Sequence, residues 1–136
     1  MYKHLTFYSD GGSRGNPGPA AIAFIMLSDD GSIQKRYSHF IGVHTNNQSE
    51  YKALIAALRF ASDKSEEVTF YLDSELVVKQ VNGEYSVKNH KLRELWNEVQ
   101  DLKKNCKTIF ISVPRTNIHI QKADSLLNNK LDEYFI

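Results

Sequence analysis

Four carboxylates in this 136-residue chain, Asp10, Glu50, Asp73 and Asp124, stand where a carboxylate needs a reason. Asp10 ends the strand-like run Thr6-Phe7-Tyr8-Ser9, and a glycine-rich turn follows at once, Gly11-Gly12-Ser13-Arg14-Gly15-Asn16-Pro17-Gly18-Pro19. Asp73 ends a second apolar run, Val68-Thr69-Phe70-Tyr71-Leu72. If those two strands are parallel neighbours, roughly 4.8 Å apart, their carboxylates lie side by side at the carboxyl ends. Two adjacent carboxylates repel and share a proton unless a cation sits between them. Glu50 is in helical phase with Ala53, Leu54, Ala57 and Leu58, on the stripe that faces the sheet, where an unpartnered charge is expensive. Asp124 repeats the pattern with Leu127 and Leu131. Acids at strand ends, beside a loop whose backbone can approach a phosphate closely, suit metal-dependent chemistry on a phosphodiester.

Taken singly, each acid has an ordinary explanation. Asp10 before Gly-Gly is a common turn residue. Glu50 and Asp124 complement the macrodipole near helix starts. Asp73-Ser74 can simply cap a helix. It is the aim of all four at one sheet edge that argues for a site.

The elements that must position them follow from periodicity. Residues 2–9 alternate and read as a strand, with Leu5 and Phe7 opposite Thr6 and Tyr8. Residues 19–28 are apolar on both faces, as in a central strand covered on both sides. Asp29-Asp30-Gly31 signals a hairpin turn, and 32–42 alternate as an outer strand. From Thr45 the period becomes helical, with Asn46 or Asn47 as cap and a stripe of Ala53, Leu54, Ala57, Leu58 and Ala61. A strand over 68–72 precedes a brief helix over 74–81 that stops near Asn82-Gly83. Leu92, Leu95, Trp96, Val99 and Leu102 mark another helix; 108–113 is the last strand and 121–134 the closing helix. The order β-β-β-α-β-α-α-β-α implies an α/β fold. Its five-stranded mixed sheet has three antiparallel strands first and the last two parallel to the first, flanked by helices. Right-handed crossovers then bring the ends of strands one, four and five to one edge.

Composition narrows the function. With 41% apolar and 24% charged residues, the sequence reads as one soluble domain over 1–136. Seventeen basic against sixteen acidic residues argue against a protein that grips nucleic acid by bulk charge, although a local basic face remains open. The single cysteine, Cys106, cannot form an internal disulfide and reads as a small half-buried residue. The first residues lack the pattern of a signal peptide, and no apolar run approaches the roughly 20 residues of a membrane span. A cytoplasmic protein with no membrane association is expected.

Asp10-Gly-Gly-Ser-Arg-Gly-Asn-Pro-Gly-Pro, Thr45-Asn-Asn-Gln-Ser-Glu50, Asp73-Ser74 and Ala123-Asp124 together closely resemble type 1 ribonuclease H. The similarity spans essentially the whole chain. It is tighter to the compact archaeal and bacterial forms that have no separate hybrid-binding domain. The resemblance implies an endonuclease that cleaves the RNA strand of RNA–DNA hybrids with two Mg²⁺ ions, Mn²⁺ being a substitute, and leaves 3′-hydroxyl and 5′-phosphate ends. It implies that Asp10 bridges both ions, that Glu50 and Asp73 hold the one on the leaving-group side, and that Asp124 holds the one carrying the attacking water. It also implies hybrid contacts from Gly11, Gly12, Ser13, Asn16, Asn46, Asn47 and Ser74, with Thr45 and Asn89 at a pocket for a DNA phosphate. No obligate protein partner is implied, and a monomer is expected.

Two departures from the family pattern stand out. The basic helix and loop with which better-known bacterial enzymes grip the DNA strand are replaced by Gly83-Glu84-Tyr85-Ser86-Val87-Lys88-Asn89, so weaker affinity and a shallower salt dependence are expected. After the last strand, where many relatives carry a histidine, Val113-Pro114-Arg115 resembles the arginine-bearing compact forms, while His119 follows in what reads as a longer loop. Either side chain is a candidate to assist catalysis. Glu75 stands where many relatives carry Gln. Other readings are another nuclease of this fold or a binding module that has lost catalysis. Proofreading exonucleases begin Asp-x-Glu, whereas position 12 is Gly, and transposases place Glu where this chain has Asp124.

Overall fold

Strand alternation fixes two faces from the first element onward. In the computed structural model, which describes residues 2–135, β1 (Tyr2–Ser13) buries Leu5 and Phe7 completely on one face and leaves Thr6 and Tyr8 half-buried on the other. It is followed by β2 (Gly18–Leu27), β3 (Ile33–His44), α1 (Asn46–Ala61), β4 (Ser65–Leu72), α2 (Glu75–Val81), α3 (His90–Leu102), β5 (Lys107–Ser112) and α4 (Ile118–Tyr134). The five strands form one sheet in the order β3-β2-β1-β4-β5. The pairs β1–β2 and β2–β3 are antiparallel, while β1–β4 and β4–β5 are parallel.

The doubly apolar character of β2 has a direct structural cause. Phe24 and Met26 enter a core with α1, α2 and α3, whereas Ala21, Ala23, Ile25 and Leu27 enter a second core with Ala123, Leu127 and Leu131 of α4. In the first core, register sets Phe7 opposite Phe70 and Phe70 opposite Phe110. Their rings stack with centroids 5.3 and 5.4 Å apart, and Phe24 meets Phe7 edge-on at 5.3 Å. Each such pair adds about 1 kcal/mol beyond its buried area and pins the strand register. The fully buried Tyr51 of α1 donates its hydroxyl to Gln80 Oε1 of α2 at 2.7 Å, so the helix layer is tied by a satisfied polar contact.

Several boundaries differ from those read in the sequence. β1 does not stop before the glycines: Asp10, Gly11, Gly12 and Ser13 pair with Ala23, Ile22, Ala21 and Ala20. The turn is therefore confined to residues 14–17. β4 begins at Ser65, because Tyr2 pairs with Ser65 and His4 with Glu67. α1 is capped by Thr45, not by Asn46 or Asn47; Thr45 Oγ1 accepts from Gln48 N at 3.1 Å and Gln48 Oε1 accepts from Thr45 N at 2.9 Å. This reciprocal pair satisfies two amides that otherwise lack partners. α4 begins at Ile118, capped by Asn117, so His119 lies in its first turn and not in a loop.

Candidate active site

Parallel register carries two acids to the same place. Tyr8 and Tyr71 are opposite one another at the end of the β1–β4 ladder, and their rings stack at 4.9 Å. Two residues farther along each chain, on the same face by strand alternation, come Asp10 and Asp73. Glu50 reaches them because α1 crosses β1 unusually closely. A Cβ on Gly11 would lie 2.1 Å from the carbonyl oxygen of Ser49, so only glycine permits the contact. The Gly11 amide then donates to Glu50 Oε1 at 3.3 Å. One oxygen from each of Asp10, Glu50 and Asp73 falls within 4.8 Å of the others.

The electrostatics of this cluster are those of a site built for cations. Asp10 is 1% exposed and Glu50 8%. Burial pushes the Asp10 carboxyl up to about 7, with the nearby Asp73 charge adding to the effect and Asp124 contributing more weakly. Burial first, then Asp10 and Asp73, hold Glu50 well above the usual carboxylate range. Asp10 Oδ1 and Glu50 Oε2 are buried without a hydrogen-bond partner. Orphaned acceptors of this kind are costly unless something fills the gap between them. An all-oxygen donor set that is partly open to solvent fits a hard divalent cation such as Mg²⁺.

Asp124 stands outside the three-acid cluster but lines the same cleft, of about 310 Å³, together with Gly11, Gly12, Ser13, Glu50 and Arg115. Because α4 starts at Ile118, Asp124 lies in its second turn. Arg115 Nε donates to Asp73 Oδ2 at 2.8 Å. The guanidinium is held charged mainly by Asp73, with Asp10 and Asp124 adding to the effect. His119 goes elsewhere: its ring packs on Tyr8, centroids 4.8 Å apart, and burial followed by the Lys122 charge lowers its pKa. Of the two basic residues in this region, Arg115 is the one brought onto the acids.

The remaining polar candidates divide into two groups. Ser13 donates from both N and Oγ to Asn46 Oδ1, at 3.0 and 2.9 Å, and Asn46 N donates to Asn16 Oδ1 at 3.0 Å. Those three, with exposed Asn47 beside them, form a polar rim where the turn meets the start of α1. Thr45, Ser74 and Asn89 each spend a side-chain oxygen on capping α1, α2 and α3 respectively. Arg14 also lines the cleft, a placement its local sequence does not signal. It reaches α4 through Asn128 and Asp132, more than a hundred positions away.

The sequence profile of the RNase H family matches residues 2–131. The chain belongs to the RNase H family. It is 42% identical over 129 residues to the ribonuclease HI of Halobacterium salinarum, covering 93% of this chain and 63% of that protein's length. The crystal structure of RNase H1 from the same archaeon superposes with a TM-score of 0.91 at 39% identity, covering 96% of this chain and 98% of that one. LC11-RNase H1, solved in complex with RNA/DNA hybrid, gives a TM-score of 0.90 at 35% identity, with 97% and 99% covered. The five-stranded mixed sheet with helices on both faces is thus the RNase H fold.

Proposed function

We propose that this chain is a ribonuclease H that hydrolyses the RNA strand of RNA–DNA hybrids. It would do so with two Mg²⁺ ions, for which Mn²⁺ can substitute, held by Asp10, Glu50, Asp73 and Asp124. The observation that carries the proposal is the pair of buried, unpartnered oxygens on Asp10 and Glu50, in a cluster that shares its cleft with Asp124. Asp10 would touch both ions, Glu50 and Asp73 the one on the leaving-group side, and Asp124 the one on the water side. Such ions, when bound, supply hydroxide near neutral pH and take up the charge of the departing oxygen.

The chain's own groups account for the rest. Water adds to phosphorus, the P–O3′ bond breaks, the water oxygen stays on the new 5′-phosphate, and a proton ends on the 3′ oxygen. Gly11 lets α1 close onto β1, where a Cβ would meet the Ser49 carbonyl oxygen, and a Cβ on Gly12 would face Leu127 of α4. The Gly11 amide orients Glu50 while leaving its second oxygen free. Arg115 fixes Asp73 from the solvent side, where its exposed guanidinium can also meet a substrate phosphate. Ser13, Asn16, Asn46 and Asn47 offer hydroxyl and amide groups suited to the 2′-hydroxyls and base edges of a wide minor groove. Residues 1–136 act as one catalytic unit, monomeric and cytoplasmic; among the described residues no helix is long and apolar enough to cross a membrane.

The test is incubation with end-labelled hybrid, duplex RNA, duplex DNA and single strands, with Mg²⁺ and with chelator. Cleavage confined to the RNA of the hybrid, and abolished by chelator, is expected. Comparable cutting of duplex DNA would assign another nuclease of this fold; tight binding without cleavage would make the chain a binding module.

A further inference from the structure

The turn that links β1 to β2 is held from two sides. On one side Ser13 and Asn16 bond Asn46 at the start of α1, the helix that carries Glu50. On the other, Arg14 extends to α4, the helix that carries Asp124. Arg14 Nη2 donates to the Asn128 carbonyl at 3.2 Å, to Asn128 Oδ1 at 3.4 Å and to Asp132 Oδ1 at 2.7 Å. Its guanidinium also lies 5.4 Å from the centre of the Phe135 ring. The Asn128 amide completes the connection, because its Nδ2 donates to the backbone carbonyl of Asp124 at 3.0 Å.

The turn itself is too tight to absorb slack. Arg14 N donates to Pro19 O at 2.8 Å, and a Cβ on Gly18 would lie 2.2 Å from the Arg14 carbonyl oxygen. A displacement of Arg14 is therefore passed to the whole turn. Asp124 is also the one acid of the four that stands outside the cluster of Asp10, Glu50 and Asp73. Asp10 and Asp73 are placed by strand register and Glu50 by the Gly11 contact, whereas Asp124 is carried by α4, which packs on the face of the sheet opposite α1.

We propose that Arg14 is a positioning residue that sets Asp124 against the Asp10–Glu50–Asp73 cluster through Asn128. This rests on the metal-dependent reading of the site. A half-buried ion pair with an exposed Asp132 contributes little to stability, so the main consequence of the contact is geometric. All three contacts come from the single nitrogen Nη2, shared among a carbonyl, an amide oxygen and a carboxylate, while the planar guanidinium packs on the Phe135 ring as an ammonium would not.

The experiment compares wild type, Arg14→Gln, Arg14→Lys, Asn128→Ala and the Arg14→Gln/Asn128→Ala double variant. The readouts are the Mg²⁺ concentration for half-maximal hybrid cleavage, the KM for hybrid, and calorimetric Mn²⁺ affinity without substrate. Arg14→Gln is expected to raise the Mg²⁺ requirement about fivefold and to weaken Mn²⁺ binding, with KM for hybrid nearly unchanged. Asn128→Ala should do the same, and the double variant no more than either, as expected for two members of one relay. Arg14→Lys should recover part of the loss. A folded Arg14→Gln with unchanged Mg²⁺ requirement and Mn²⁺ affinity overturns the proposal, and so does a change confined to KM. Absence of cleavage by the wild type would instead refute the functional reading, leaving the Mn²⁺ comparison to decide the role of Arg14.

Discussion

Arg115 Nε donates to Asp73 Oδ2 at 2.8 Å, which sets a guanidinium 77% exposed against a carboxylate only 9% exposed. One end of the pair therefore belongs to the buried acid cluster and the other faces whatever enters the cleft. The pair also neutralises part of a site in which three carboxylates crowd together, and the Arg115 charge opposes the upward push on Asp10.

Removal of that charge should be read in the pH dependence of cleavage. Arg115 favours ionised Asp10, so Arg115→Ala raises the pH at which Asp10 loses its proton and becomes free to hold a cation. The acidic limb of the rate profile should move to higher pH, with the loss of activity largest on the acidic side. Arg115→Lys, which keeps the charge, should restore the limb in large part. A limb that does not move contradicts the role.

The raised carboxyls predict an unusual stability profile without metal. Asp10 titrates at about 7 in the fold against an ordinary value of 3.8. The folded chain therefore holds a proton that the unfolded chain has lost, and stability from this group falls as pH rises between those limits. Asp10→Asn removes the charge, so without metal it should melt above wild type at pH 8, by roughly 2 kcal/mol, with the gain vanishing towards pH 4. Mg²⁺ should raise the melting temperature of the wild type more at pH 8 than at pH 5. Scanning calorimetry across that range checks both statements.

Gly11→Ala tests how Glu50 is placed. The new methyl group would lie 2.1 Å from the Ser49 carbonyl oxygen, so α1 must move off β1. A stability loss of about 3 kcal/mol in urea is expected, as for overpacking of a rigid contact. Cleavage should fall further than the folded fraction does, since Glu50 moves with the helix. Wild-type stability in this variant would mean that the close approach is not maintained in solution.

Much of this architecture is legible in the chain because one physical cause acts at each position. The two-sided apolarity of β2 reports two cores, and the stripe from Ala53 to Ala61 reports the buried face of α1. The convergence of Asp10 and Asp73 follows from parallel pairing alone. What local sequence cannot show are features decided by distant partners. Gly11 and Gly12 look like a turn, but Ala20 to Ala23 supply the hydrogen bonds that keep them in a strand. Thr45, Asn46 and Asn47 are all good caps, and only the reply from Gln48 selects the first. Ile118-His119-Ile120 reads as loop in the sequence, where the helical phase is clear only from Gln121. Asn117 in fact accepts from the His119 and Ile120 amides and starts α4 earlier, which turns His119 onto Tyr8. Arg115 and Asp73 meet across 42 residues, beyond any periodicity.

The central claim is that buried carboxylates hold the cations that cut RNA, and single-turnover cleavage of an end-labelled hybrid by Asp10→Asn at saturating Mg²⁺ tests it most directly. Asparagine keeps the shape of the side chain and removes the charge. A folded variant at least about a thousandfold slower than wild type, a loss of ~4 kcal/mol, is the predicted result. Cleavage within a few-fold of wild type would contradict it.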